Sequence, residues 1–138
     1  MAGDRREIAM RWRPGTGLLF DAGAPDRPSV LVDGDGRVAT SPVEMLLVAA
    51  ATCSASDVVL ILQKQRVTLE ALEVALRGTR REDQPRRYTA LHFAFTISGA
   101  GVDETKARRA IDLSLEKYCS VVASLAPDIH VTYDVALR

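Results

Sequence analysis

The sequence has no surplus of either charge: 18 lysines and arginines balance 18 aspartates and glutamates. A dedicated nucleic-acid binder carries a basic excess to neutralise phosphates, so the balance argues against that class of partner. Uninterrupted apolar stretches are short. The longest, Met45 to Ala51, falls far below the ~20 residues needed to cross a bilayer. The polar start Gly3-Asp4-Arg5-Arg6-Glu7 lacks the apolar core of a secretory signal. No membrane segment and a cytoplasmic location are therefore expected. Histidine and cysteine are scarce, with two of each. His92 and His130 fall on the polar phase of their segments, so sheet-face roles are expected. No His–Glu spacing suggests a metal site, and no Gly-rich loop suggests a phosphate site. Asp33-Gly34-Asp35-Gly36 lacks the later ligand positions of a calcium loop and reads as a turn. No cofactor is expected.

What remains is an ordinary globular composition, 47% hydrophobic and 26% charged over 138 residues. That is enough chain for one domain, residues 1–138, with a core that needs no staples. Ile8, Met10 and Trp12 alternate with Ala9 and Arg11, the period of a half-buried strand. Leu18 to Ala22 and Ser29 to Val32 are two further strand candidates. Ser41-Pro42-Val43-Glu44 is a capping box, with Ser41 at N-cap, Pro42 at N1 and Glu44 at N3. No helix breaker follows through about Gln65. The first half of this helix is apolar on all sides, which predicts burial all round. At 1.5 Å per residue it spans roughly 35 Å, long for so small a domain, and it calls for a second layer or a second subunit. Leu72, Val74 and Leu76 face one way with Glu73, Ala75 and Arg77 opposite, and Leu91, Phe93, Phe95 and Ile97 alternate with His92, Ala94 and Thr96. Between them, Arg80 to Arg87 reads as a solvated loop. Asp103 is an N-cap for a helix through about Tyr118, with Ala107, Ala110, Ile111 and Ser114 as its inner stripe. A last strand covers Ile129 to Leu137. Strands, long helix, strands, helix, strand give an α+β class with helices packed on antiparallel sheets.

Cys53 lies inside the apolar helix, and Cys119 lies where the second helix ends. They stand 66 positions apart, which excludes a local CxxC redox pair or zinc knuckle. In a reducing compartment two cysteines are either buried small hydrophobes or working thiols. Ser120 is a candidate N-cap for a short helix Val121 to Leu125, whose free N–H groups favour a thiolate at Cys119. Glu44 is a candidate catalytic carboxylate, in competition with its capping role.

Three segments carry a resemblance to the OsmC/Ohr family of thiol peroxidases: Ser41 to Leu47, Cys53-Ser54-Ala55-Ser56-Asp57-Val58-Val59, and Glu116-Lys117-Tyr118-Cys119-Ser120-Val121. Arg80-Arg81-Glu82 and Pro85-Arg86 add to it, and the YhfA-type branch is the most similar. The resemblance implies an intertwined homodimer with long helices at its centre and sheets outside. It also implies reduction of organic hydroperoxides: Cys53 attacks the peroxide and becomes a sulfenic acid, Cys119 resolves it to a disulfide, and a dithiol reductant restores both. In the family's peroxidase branches a glutamate directly follows the helix-start proline and works with an N-terminal arginine. Here Val43 takes that place and Glu44 comes next, while Arg13, Arg27 and Arg37 are the available arginines. A proline usually follows the resolving cysteine, where this chain has Ser120. The alternative is an OsmC-like protein that senses oxidation or binds a small ligand with little or no turnover.

Overall fold

The computed structural model describes residues 3–138. The chain divides into two compact units after Leu46. In the first, strands β1 (Ala9–Trp12), β2 (Leu19–Gly23) and β3 (Val30–Asp33) form an antiparallel meander in sequence order. The three strands fall within a residue or so of the predicted positions. Asp33 ends β3 and builds the turn after it. Its carboxylate is only 2% exposed and accepts the N–H groups of Asp35, Arg37 and Val38 at 2.9, 2.9 and 2.8 Å. These donors, Val38 first, hold its carboxyl below the usual carboxylate range. The Asp-Gly-Asp-Gly cluster is thus a turn organised by its first carboxylate.

Helix α1 (Pro42–Lys64) begins at the capping box. The Glu44 carboxylate accepts from the Ser41 N–H at 3.0 Å and from its hydroxyl at 2.7 Å, and the Glu44 N–H donates to Ser41 Oγ at 3.3 Å. The helix is long and apolar enough to cross a bilayer by length and mean hydropathy (2.1), which the short uninterrupted run did not suggest. In the second unit it is a core helix. Ala50, Ser54, Val58 and Leu62, one residue per turn, form its buried stripe, and the three apolar ones join the cluster built by β5 and the next helix. Burial all round is not observed within the single chain: Val43, Leu46, Val48 and Leu60 stay exposed. A helix turns one face toward its own sheet, and Leu46, Val48 and Leu60 lie on the faces left open to solvent.

The second sheet joins β4 (Thr68–Arg80), β5 (Tyr88–Ala100) and β6 (His130–Leu137) in that order. The first two form a long antiparallel hairpin, each 13 residues. Leu91, Phe93, Phe95 and Ile97 are buried as their alternation predicts. The α+β architecture holds, but the sheet is mixed, because β6 pairs with β5 in parallel. The reason is the connection. From β5 the chain passes through α2 (Glu104–Leu113), a π-helical turn (Ser114–Tyr118) and α3 (Ser120–Ala123) before entering β6, and such a crossover returns the chain in the same direction. Asp103 caps α2, accepting from the Lys106 N–H at 2.7 Å. Ala107, Ala110, Ile111 and Ser114 are fully buried, as the inner stripe predicts. Gly78 in β4 lies under the Tyr88 ring: a Cβ there would stand 2.5 Å from Tyr88 Cε1 and 2.9 Å from Leu47 Cδ2.

Candidate functional site

The fold brings Cys53 and Cys119 together. Both are free thiols, Cys53 half-buried and Cys119 buried, the latter with 3% of its surface exposed. Cys53 is placed by α1 one position before the buried Ser54. Cys119 is placed by the π turn, which ends when its N–H donates to the Ser114 carbonyl at 2.8 Å. The sequence predicts a continuous helix through about Tyr118. The structure instead ends it at Leu113 and widens the coil by one residue per turn, and then lets Cys119 go extended at φ −70°, ψ 102°. Short π segments are rare and concentrate at functional sites. This one aims Cys119 at α1.

The cap of α3 also differs from expectation. Cys119 itself is the N-cap rather than Ser120, and its Sγ accepts the Val122 N–H at 3.5 Å. The N–H groups of Val122 and Val121 favour the thiolate, as expected for a helix start, but burial outweighs them. The Cys119 thiol is pushed up to about 11, first by burial, then by its hydrogen bond to Cys53 and by the Cys53 charge. At neutral pH Cys119 is a protonated thiol that donates toward its neighbour's sulfur. Among the described residues, the groups acting on it besides burial are two backbone N–H groups and Cys53.

Three residues missed as functional candidates link the two elements that carry the cysteines. The buried Ser114 hydroxyl lies 3.0 Å from Ser54 Oγ and 2.9 Å from Asp57 Oδ2. Ser54 follows Cys53, and Asp57 stands one turn beyond it. The available signal was Asp57, a carboxylate in the middle of a mostly apolar helix. Past Asp57 a cleft of about 360 Å³ opens, lined by Leu60, Ile61, Lys64, Arg109, Leu113 and Tyr118.

The other candidates have different employment. Glu44 is committed to the capping box, where the Ser41 N–H and hydroxyl hold its carboxyl below the usual range. Arg13 makes a bidentate pair with Asp21 at 2.7 and 2.8 Å, and Arg27 pairs with Asp26 at 3.2 Å. The Arg37 N–H helps build the Asp33 turn. At the 81–87 loop, Arg80, which ends β4, and Arg81 donate to the carbonyls of Arg86 and Pro85, each at 2.6 Å. His92 bridges Thr132 and Asp134 on β6 at 2.7 and 2.9 Å, the sheet-face role its phase suggests. His130 is exposed at the start of β6. Among the described residues no cluster of three or more His, Cys, Asp or Glu side chains has the arrangement of a metal site.

Residues 33–134 match the sequence profile of the OsmC-like protein family. Protein YhfA of Escherichia coli K12 is 42% identical over 118 residues, covering 85% of this chain and 88% of that protein. The crystal structure of an OsmC-like protein from Mycoplasma pneumoniae superimposes with a TM-score of 0.81 at 15% identity, covering 99% of each chain. A structure from Legionella pneumophila, described as an organic hydroperoxide resistance protein OsmC and predicted redox protein, gives 0.68 at 14% identity over 97% of this chain and 99% of that one. With both cysteine segments inside the matched region and a relative this similar over most of its length, the chain belongs to the OsmC-like protein family.

Proposed function

We propose that this protein reduces organic hydroperoxides with Cys53 as the attacking thiol and Cys119 as the resolving one. The observation that carries the reading is the pairing of the two thiols, 66 positions apart in sequence, with the proton held on Cys119 by burial and by Cys53. Cys53 sulfur gives an electron pair to one peroxide oxygen. The O–O bond breaks, the alcohol leaves with a proton, and Cys53 becomes a sulfenic acid. Oxidation alters the Cys53 sulfur whose hydrogen bond and charge raise Cys119, so those causes change when Cys119 must react. Cys119 sulfur then attacks Cys53 sulfur, and its proton leaves with the displaced hydroxide as water. A dithiol reductant returns both sulfurs to thiols. Glu44 enters this scheme through the start of α1, which its box fixes. The Legionella relative's description supports the substrate class. The reading treats residues 1–138 as one domain, because α1 runs unbroken from one compact unit into the other. It also sets the protein in the cytoplasm as a homodimer, whose second copy covers the exposed Leu46, Val48 and Leu60 of α1.

One equivalent of tert-butyl hydroperoxide added to the reduced protein is expected to consume two thiols per chain and to leave a Cys53–Cys119 peptide link. Cys53→Ser is expected to abolish turnover, and turnover surviving in that variant refutes the assignment. A second reading, a redox sensor with little turnover, is favoured by one observation: among the described residues, the groups that shift Cys119 are Cys53 and two backbone N–H groups, with no cation among them. It predicts one oxidation event per chain and no multiple turnover when a dithiol is supplied.

A further inference from the structure

Three hydroxyl-bearing residues on α1 lie within five positions, and they behave differently. Thr52 and Ser56 donate back to their own helix, to the carbonyls of Val48 at 2.8 Å and Thr52 at 2.7 Å. Ser54, fully buried between them, reaches instead across to Ser114. The direction of the resulting chain follows from proton counting. Ser114 has one hydroxyl proton. Asp57 Oδ2 is a carboxylate oxygen and accepts, so the Ser114 proton goes there, at 2.9 Å. Ser54 Oγ must then donate to Ser114 Oγ at 3.0 Å. The order is Ser54 to Ser114 to Asp57, with both serines fully buried.

Ser114 is also tied on its backbone. Its N–H ends α2 on the carbonyls of Ala110 and Ile111, and its carbonyl takes the Cys119 N–H that closes the π turn. One residue therefore connects the segment carrying Cys119 to two α1 residues in the turn that follows Cys53. We propose that the Ser54–Ser114–Asp57 chain is a positioning device for the thiol pair, setting how closely Cys119 meets Cys53 and so how readily the two sulfurs join. It deepens the two-cysteine reading above and rests on it for the site, but it concerns sulfur–sulfur geometry and not reactivity toward peroxide. Ser54, Ser114 and Asp57 are positioning residues here.

The test is the thiol–disulfide equilibrium of the full chain with glutathione. Protein dithiol and oxidised glutathione give protein disulfide and two glutathione thiols, with no hydroperoxide involved. Ser114→Ala keeps the backbone bonds and removes the hydroxyl, and is expected to lower the equilibrium constant about tenfold, the scale of one buried hydrogen bond to a charged group. Asp57→Leu should do the same, and the double variant should fall little further, because both break one chain. Asp57→Asn keeps an acceptor at Oδ1 and should stay within about twofold of the parent protein. A purely structural role would lower thermal stability without shifting the equilibrium and without rescue by Asn. If Ser114→Ala does not fold, the Asp57 pair decides. Unchanged equilibrium in the folded variants, or equal losses in Asp57→Asn and Asp57→Leu, overturns the proposal. An inert parent protein in the hydroperoxide assay would overturn the peroxidase reading and leave this measurement standing.

Discussion

Removing Cys53 offers the cleanest view of what burial does to Cys119. In the intact pair the Cys119 thiol rises from an ordinary 9.0 to about 11. At pH 8 a thiol with midpoint 9 is roughly one-tenth thiolate, whereas one with midpoint 11 is roughly one-thousandth. The reactive form is thus reduced by about a hundredfold, equivalent to about 2.7 kcal/mol at 1.36 kcal/mol per unit. Cys53→Ser deletes the neighbour's charge and keeps the largest cause, burial, so the midpoint should settle between 9 and 11. The assay is the rate of iodoacetamide alkylation of Cys119 in folded Cys53→Ser protein from pH 7 to 11. Restricted access scales the whole curve, so the midpoint and not the rate is diagnostic. A midpoint at or below 9 would show that the α3 N–H groups outweigh burial and would refute the reasoning. The same shift bears on stability. Between pH 9 and 11 the unfolded chain loses the Cys119 proton while the folded chain keeps it, so stability present below pH 9 is lost as pH rises through the folded midpoint. Cys119→Ala should flatten that alkaline decline in urea titrations.

Asp33→Ala should lower the melting temperature and weaken its acid dependence. A carboxyl held low stabilises above its unfolded range, and that stability disappears as pH falls through its folded value. Melts between pH 2 and 6 check it. Gly78→Ala places a methyl group against the Tyr88 ring and Leu47 and is expected to cost about 1–3 kcal/mol by urea denaturation, with partial recovery in Gly78→Ala/Tyr88→Ala. Sedimentation should give twice the 15.0 kDa chain mass, and Leu60→Asp should shift it to the single chain. A monomeric parent protein removes the homodimer from the proposal.

How far the sequence reached depended on the range of the forces involved. Local signals did well. The Ser41–Glu44 box begins α1 where predicted, Asp103 caps α2, and the 91–97 alternation marks the buried face of β5. Where tertiary contacts decide, the reading was incomplete. The strand expected at Leu72–Arg77 runs from Thr68 to Arg80, because pairing with β5 extends it. The π turn has no local signature: Ser114 to Tyr118 looks like ordinary helix, and what widens the coil is its bonding to Cys119. The parallel entry of β6 follows from the crossover's path, which residue patterning does not encode. At the site, the family segments pointed to both cysteines, but their contact, and the Ser114 link between their elements, exist only in the folded chain.

The parallel β5–β6 pairing has a consequence for synthesis and oxidation. Its rungs join residues 40 positions apart, as in Ala90 with His130, and β6 leaves the ribosome after β5 and the whole crossover. Non-local pairing closes slowly, because a large loop must be ordered before any rung forms. The crossover that must be ordered is the stretch that carries Cys119. A nascent chain therefore holds its two thiols apart until β6 has been made. Their ability to join becomes a readout of completed topology, and chains cut short before β6 should show two independent thiols of ordinary reactivity.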